Sequence, residues 1–75
     1  MRLEYDPVAD AAYIRLRRGK VQETEEIAPG IHMDVGEDGR PIGFEILDAS
    51  QVLDGVPHGV EFVILGQNAP ARPRA

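Results

Sequence analysis

The sequence predicts an α+β fold: an antiparallel β-sheet built from consecutive hairpins, with one short helix packed on one face. Three observations carry that prediction. Apolar residues alternate at period two through most of residues 2–47, with β-branched and aromatic types prominent, which is the periodicity of strands. Turn-forming residues separate the alternating runs, at Asp6-Pro7, Arg18-Gly19, Pro29-Gly30 and Asp38-Gly39. After Leu47 the alternation stops, and Asp48–Gly55 offers a capping Asp48 or Ser50, adjacent Val52 and Leu53, and a closing glycine.

The first strand is expected over Arg2–Asp6, with Leu3 and Tyr5 on one face. Asp6, Pro7 and Asp10 then supply turn chemistry: an Asp carboxylate accepts backbone N–H groups, and proline presets φ. A second strand over Ala12–Arg17 pairs best with Leu3 opposite Leu16, Tyr5 opposite Ile14 and Glu4 opposite Arg15, so that apolar meets apolar and acid meets base. Arg18-Gly19 turns tightly into a third strand, Val21–Ile27, whose Glu23, Glu25 and Glu26 suit a sheet edge. Ile31–Val35 and Pro41–Leu47 alternate cleanly as the fourth and fifth strands. One or two helical turns follow and lay Val52 and Leu53 over the sheet. Val60–Leu65 reads as a last strand, buried or paired with another chain. Residues 1–67 form a single small domain, and 68–75, alternating Ala, Pro and Arg, form a disordered tail.

The stretch DVGEDGRPIGFE, from Asp34, mimics a calcium loop, with Asp at position 1, Asp-Gly at 5 and 6, and Glu at 12. Calcium takes about six to eight oxygens between two helices. Here position 3 is Gly36 and position 8 is Pro41, which leaves about five oxygens, and the flanks have a strand's period. A hairpin explains the stretch better. With Asp38 and Gly39 as the centre of a type I′ turn, Val35 faces Ile42, Met33 faces Phe44, and Ile31 faces Ile46. The same register puts His32 opposite Glu45, with Asp34 on the diagonal. These three are the candidate metal or acid–base residues.

Composition narrows the function classes. A chain of 75 residues builds one marginal core, and with no cysteine it has neither disulfides nor thiolate metal sites to staple it. Oligomerisation is the remaining staple, so a homodimer is expected. The net charge of −5 argues against a nucleic-acid groove binder. Arg15, Arg17, Arg18 and Lys20 nevertheless cluster and are candidate contacts for an anion or a partner. No apolar run has a membrane span's length, and the amino end lacks a signal peptide's apolar core, so a soluble cytoplasmic protein without membrane association is expected.

The run Tyr5-Asp6-Pro7, Ala9-Asp10, Ala12-Tyr13-Ile14-Arg15-Leu16, Gly30-Ile31, Asp34, Asp38-Gly39 and Gly43-Phe44-Glu45-Ile46-Leu47-Asp48-Ala49-Ser50 resembles the small bacterial domain-of-unknown-function family 2283, over about residues 3–53. The resemblance implies a compact antiparallel sheet with a short helix after the Glu-Ile-Leu strand. It brings no catalytic residue and no cofactor. It associates some members with neighbouring toxin-like proteins. The expected function is a non-enzymatic protein-interaction module, antitoxin-like in its most concrete form, acting as a homodimer. The alternative is a metal-dependent or acid–base enzyme built on His32, Asp34 and Glu45.

Overall fold

A computed structural model describes residues 1–66. Five strands form one sheet: β1 (Arg2–Asp6), β2 (Ala11–Arg15), β3 (Val21–Ala28), β4 (Ile31–Gly36) and β5 (Pro41–Leu47), followed by a single helical turn, α1 (Ala49–Val52). The spatial order is β1-β2-β5-β4-β3, and every neighbouring pair is antiparallel. The fold class is the expected one, with the acidic β3 at an edge. One connection differs. Arg18-Gly19 does not turn β2 into a neighbouring strand, because β5 and β4 lie between β2 and β3. The central slot beside β2 goes to β5, which sets Ile46 against Ala12 and Phe44 against Ile14. The acid-rich β3 has no comparable apolar match to offer.

Registers then order the side chains into rows. On one face Leu3, Ile14, Phe44 and Met33 line up across four strands, and beside them Tyr5, Ala12, Ile46 and Ile31 form a second row. On the other face the rows read Arg2, Arg15, Gly43, Asp34, Thr24 and Glu4, Tyr13, Glu45, His32, Glu26. One face is apolar and the other polar, as strand alternation requires.

Two registers depart from expectation. In β1/β2, Leu3 faces Ile14 and Tyr5 faces Ala12, a slip of two residues that keeps each side chain on its face. The turn sets this register. Asp6 Oδ1 accepts the N–H groups of Val8 (2.9 Å) and Ala9 (3.2 Å), and Asp10 takes a left-handed φ of 51°. The slip sets Arg2 directly opposite Arg15, a like-charge pair that opposes the register. In β4/β5 the pairs Ile31–Ile46, His32–Glu45 and Met33–Phe44 form as expected, but a bulge after Asp34 brings Val35 against Pro41 instead of Ile42. The turn is correspondingly not type I′. Gly39 N–H donates to the Gly36 carbonyl (3.0 Å), and only Gly39 takes positive φ (78°), while Asp38 does not. That is a three-residue loop ending in a left-handed glycine.

The bulge makes room for Ile42, among the described residues the one large side chain that is fully buried. Gly19 and Gly36 back onto it, each with its Cβ position 3.1 Å from Ile42 Cδ1. Arg17 closes the same corner, donating to the carbonyls of Pro41 (3.1 Å) and Arg40 (3.0 Å) and to Asp38 Oδ1 (2.9 Å). At the opposite end, Ala12, Ile46 and Ala49 form a small cluster against which Tyr5 and Ile14 pack. Ala49, not Val52 or Leu53, is the helical residue laid on the sheet; those two are 41% and 43% exposed. Val60–Leu65 forms no strand, and its apolar side chains stand exposed. The expected tail, 68–75, lies outside the described residues.

Candidate functional site

Asp10 is the most connected carboxylate. Its Oδ1 accepts the Tyr5 hydroxyl (2.8 Å) and the Ser50 N–H (3.0 Å), and its Oδ2 accepts the Ser50 hydroxyl (2.6 Å). Its backbone carbonyl takes the Ala49 N–H at 2.9 Å. Asp48, at the N-cap position, has a left-handed φ and makes no side-chain cap bond. Asp10 therefore caps α1 from across the fold and ties the β1/β2 turn to the helix. The Ser50 and Tyr5 hydrogen bonds hold the Asp10 carboxyl below its usual range, and the bond to Asp10 in turn raises the Tyr5 phenol. Asp6, Pro7 and Asp10 were expected as turn formers; Asp10 is also this tether.

The polar face holds a second network. The Tyr13 ring lies over Gly43, where a Cβ would stand 2.5 Å from the Tyr13 hydroxyl, and reaches Asp34 Oδ2 at 2.7 Å. Asp34 Oδ1 accepts the Thr24 hydroxyl at 2.6 Å. Burial, then the hydrogen bond to Asp34, pushes the Tyr13 phenol up to about 12. The Arg15 guanidinium sits 5.6 Å from the Tyr13 ring centroid, within cation–π range.

The registers bring His32, Asp34 and Glu45 onto this one face, with His32 directly opposite Glu45. Their closest partners, however, lie elsewhere. Asp34 is held by Tyr13 and Thr24, and His32 Nε2 lies 3.7 Å from Glu26 on β3. His32 Nδ1 is buried with no hydrogen-bond partner. Among the described residues no three His, Asp or Glu side chains gather in a way that could hold a metal ion. Of the basic cluster, Arg17 is engaged at the Ile42 corner, and Arg15, Arg17 and Arg18 border a depression with Arg2 and Glu4. Lys20 is exposed beyond them. Asp38 accepts bonds from the Arg40 N–H and Arg17, which lower its carboxyl.

Sequence reasoning missed the bond from Tyr13 to Asp34. Gly43 in mid-strand was the available signal, because such a glycine marks a close approach. The Asp10–Ser50 tether spans 40 positions and left no local mark.

Fold and site together define a small single-sheet β protein with a minor helix, whose polar face is knitted by its own side chains. The chain belongs to the family described as protein of unknown function DUF2283, whose model matches residues 2–50. That span holds the whole sheet and all three members of the Tyr5–Asp10–Ser50 tether. Neither the curated proteins nor the solved structures contain a significant match. Among the described residues, no helix is long and apolar enough to cross a membrane.

Proposed function

We propose that this protein is a non-enzymatic protein-interaction module that acts as a homodimer in the cytoplasm. One observation carries the reading: the apolar face of a single-layer sheet is only partly covered by its own chain, with Leu3 45% exposed and Tyr5, Ile14, Phe44, Met33 and Ile31 half-buried. Four strands contribute to that face, and α1 covers only its Ala12–Ile46 end. Beside it, Leu53–Val60 roofs an open groove of about 700 Å³, floored by Leu3, Tyr5, Ala12, Ile14 and Ile46. A sheet face needs a second layer, and among the described residues the buried apolar ones are Ala12, Val35, Ile42, Ile46 and Ala49. The polar clusters point the same way. Asp10, Asp34 and Asp38 are each occupied by groups that hold the fold. The absence of cysteine suits a reducing compartment.

Light scattering of the purified chain on a sizing column tests the homodimer. Co-purification with a tagged copy tests the antitoxin-like form, in which the same face covers a second protein. A monomer that retains nothing counts against both.

A second reading rests on the unpartnered His32 Nδ1. In it, His32, Asp34 and Glu45 bind a divalent ion or work as an acid–base site, with Asp34 released from Tyr13 and Thr24. That reading requires millimolar magnesium, calcium, manganese or zinc to raise Tm through His32. Unchanged melting in all four removes it.

A further inference from the structure

The sheet has two free edges, and they are guarded unequally. On β3, Glu23, Glu25 and Glu26 are exposed and two register shifts break the ladder, both of which discourage added strands. β1 also exposes the charged Arg2, Glu4 and Asp6, but it pairs with β2 without a shift and contains neither proline nor glycine, so its outer backbone groups keep the regular spacing a partner strand needs. The same chain carries an unpaired strand-like segment, VEFVIL, residues 60–65. Among the described residues none of the turn, loop and cap backbone hydrogen bonds involves it, and Phe62 and Ile64 are 75% and 77% exposed.

We propose that residues 60–65 of one copy add as a parallel strand to the β1 edge of a second copy, reciprocally. The inference rests on the homodimer reading and names the segment that builds the dimer. Register and charge select the arrangement. To extend the two apolar rows, Phe62 and Ile64 must fall beside Leu3 and Tyr5. An antiparallel strand that does this sets Glu61 beside Asp6, a like-charge contact. A parallel strand sets Phe62 beside Leu3, Ile64 beside Tyr5 and Glu61 beside Arg2. Arg2 is the residue that the β1/β2 register leaves directly opposite Arg15, so an acid on its open side relieves that opposition. The rows then run Phe62, Leu3, Ile14, Phe44, Met33 and Ile64, Tyr5, Ala12, Ile46, Ile31 across the sheet and its added strand. Within its own chain, Leu53–Val60 already runs above Leu3 and Tyr5, and residues 61–66 after it lie outside any strand.

Sedimentation equilibrium of the full chain and its variants tests the proposal. Phe62→Asp is expected to raise the dimer Kd about 100-fold or more, as for a buried aromatic anchor. Glu61→Arg and Arg2→Glu are each expected to weaken the dimer about 10-fold, and the double exchange to restore it. Arg2→Glu also separates dimer loss from misfolding, because it puts an acid opposite Arg15 and should leave the monomer folded by circular dichroism. A wild-type dimer that Phe62→Asp leaves unchanged overturns the inference while the homodimer reading stands. A wild-type monomer overturns both. In that case, slow amide exchange over residues 60–65 would show the segment closing on its own β1.

Discussion

Gly43→Ala is the substitution that most directly tests the geometry of the polar face. A Cβ at position 43 would stand 2.5 Å from the Tyr13 hydroxyl, 2.7 Å from Tyr13 Cζ and 2.7 Å from the Ile14 carbonyl oxygen. The ring cannot simply swing aside, since its hydroxyl is bonded to Asp34 at 2.7 Å, and the carbonyl is backbone in a paired strand. Overpacking of this kind costs about 1–3 kcal/mol. In a domain of this size each kcal/mol moves Tm by about 4–8 °C, so a fall of roughly 5–20 °C is expected in thermal unfolding followed by circular dichroism. The cost should be partly relieved when Tyr13→Ala removes the ring, with a coupling of about 0.5–3 kcal/mol in the double-mutant cycle. The Ile14 carbonyl keeps the relief incomplete. Additive effects, or a Gly43→Ala Tm within a degree or two of the parent, would refute the placement of Tyr13 over Gly43.

Three further outcomes follow from the same structure. Ile42→Ala truncates a fully buried large side chain and should cost about 2–5 kcal/mol, a large share of the roughly 4–11 kcal/mol a chain this size holds; denaturant melts read it. Asp10 and Asp38 have carboxyl pKa values lowered in the folded state, so the stability they add is present above their unfolded value of 3.8 and is lost as pH falls through the folded values. Tm should therefore hold down to mildly acidic pH and drop below about pH 4, less steeply in Asp10→Asn. For Tyr13 the sign reverses: a phenol raised to about 12 adds stability that is full below its unfolded value of 10.0 and is lost as pH rises through the folded one. Its phenolate absorbance should appear late in an alkaline titration, and Asp34→Ala should bring it earlier.

What the sequence revealed divides by distance along the chain. The β4/β5 pairing was legible because six alternating apolar side chains and an Asp-Gly turn specify it locally. The bulge in that hairpin was not, since it accommodates Ile42 under Gly19, Gly36 and Arg17, two of which come from another part of the chain. The β1/β2 register was misjudged by two residues because cross-strand complementarity favoured Glu4 against Arg15. The fold instead fixes the turn through Asp10 and its bonds to Ala49 and Ser50, and tolerates Arg2 against Arg15. The polar-face network was half legible. Alternation put His32 and Glu45 opposite each other, but Asp34's partners Tyr13 and Thr24 lie two strands and one strand away. Residues 60–65 carry a strand's pattern without a strand's partner, and pattern alone does not say where the partner is.

Sedimentation equilibrium of the full chain at micromolar concentrations bears most directly on the central proposal, that the partly covered apolar face makes this a self-associating interaction module. The account predicts a mass of twice 8.2 kDa that falls towards a single chain on dilution. A single-chain mass at every concentration, with the fold intact, would contradict it.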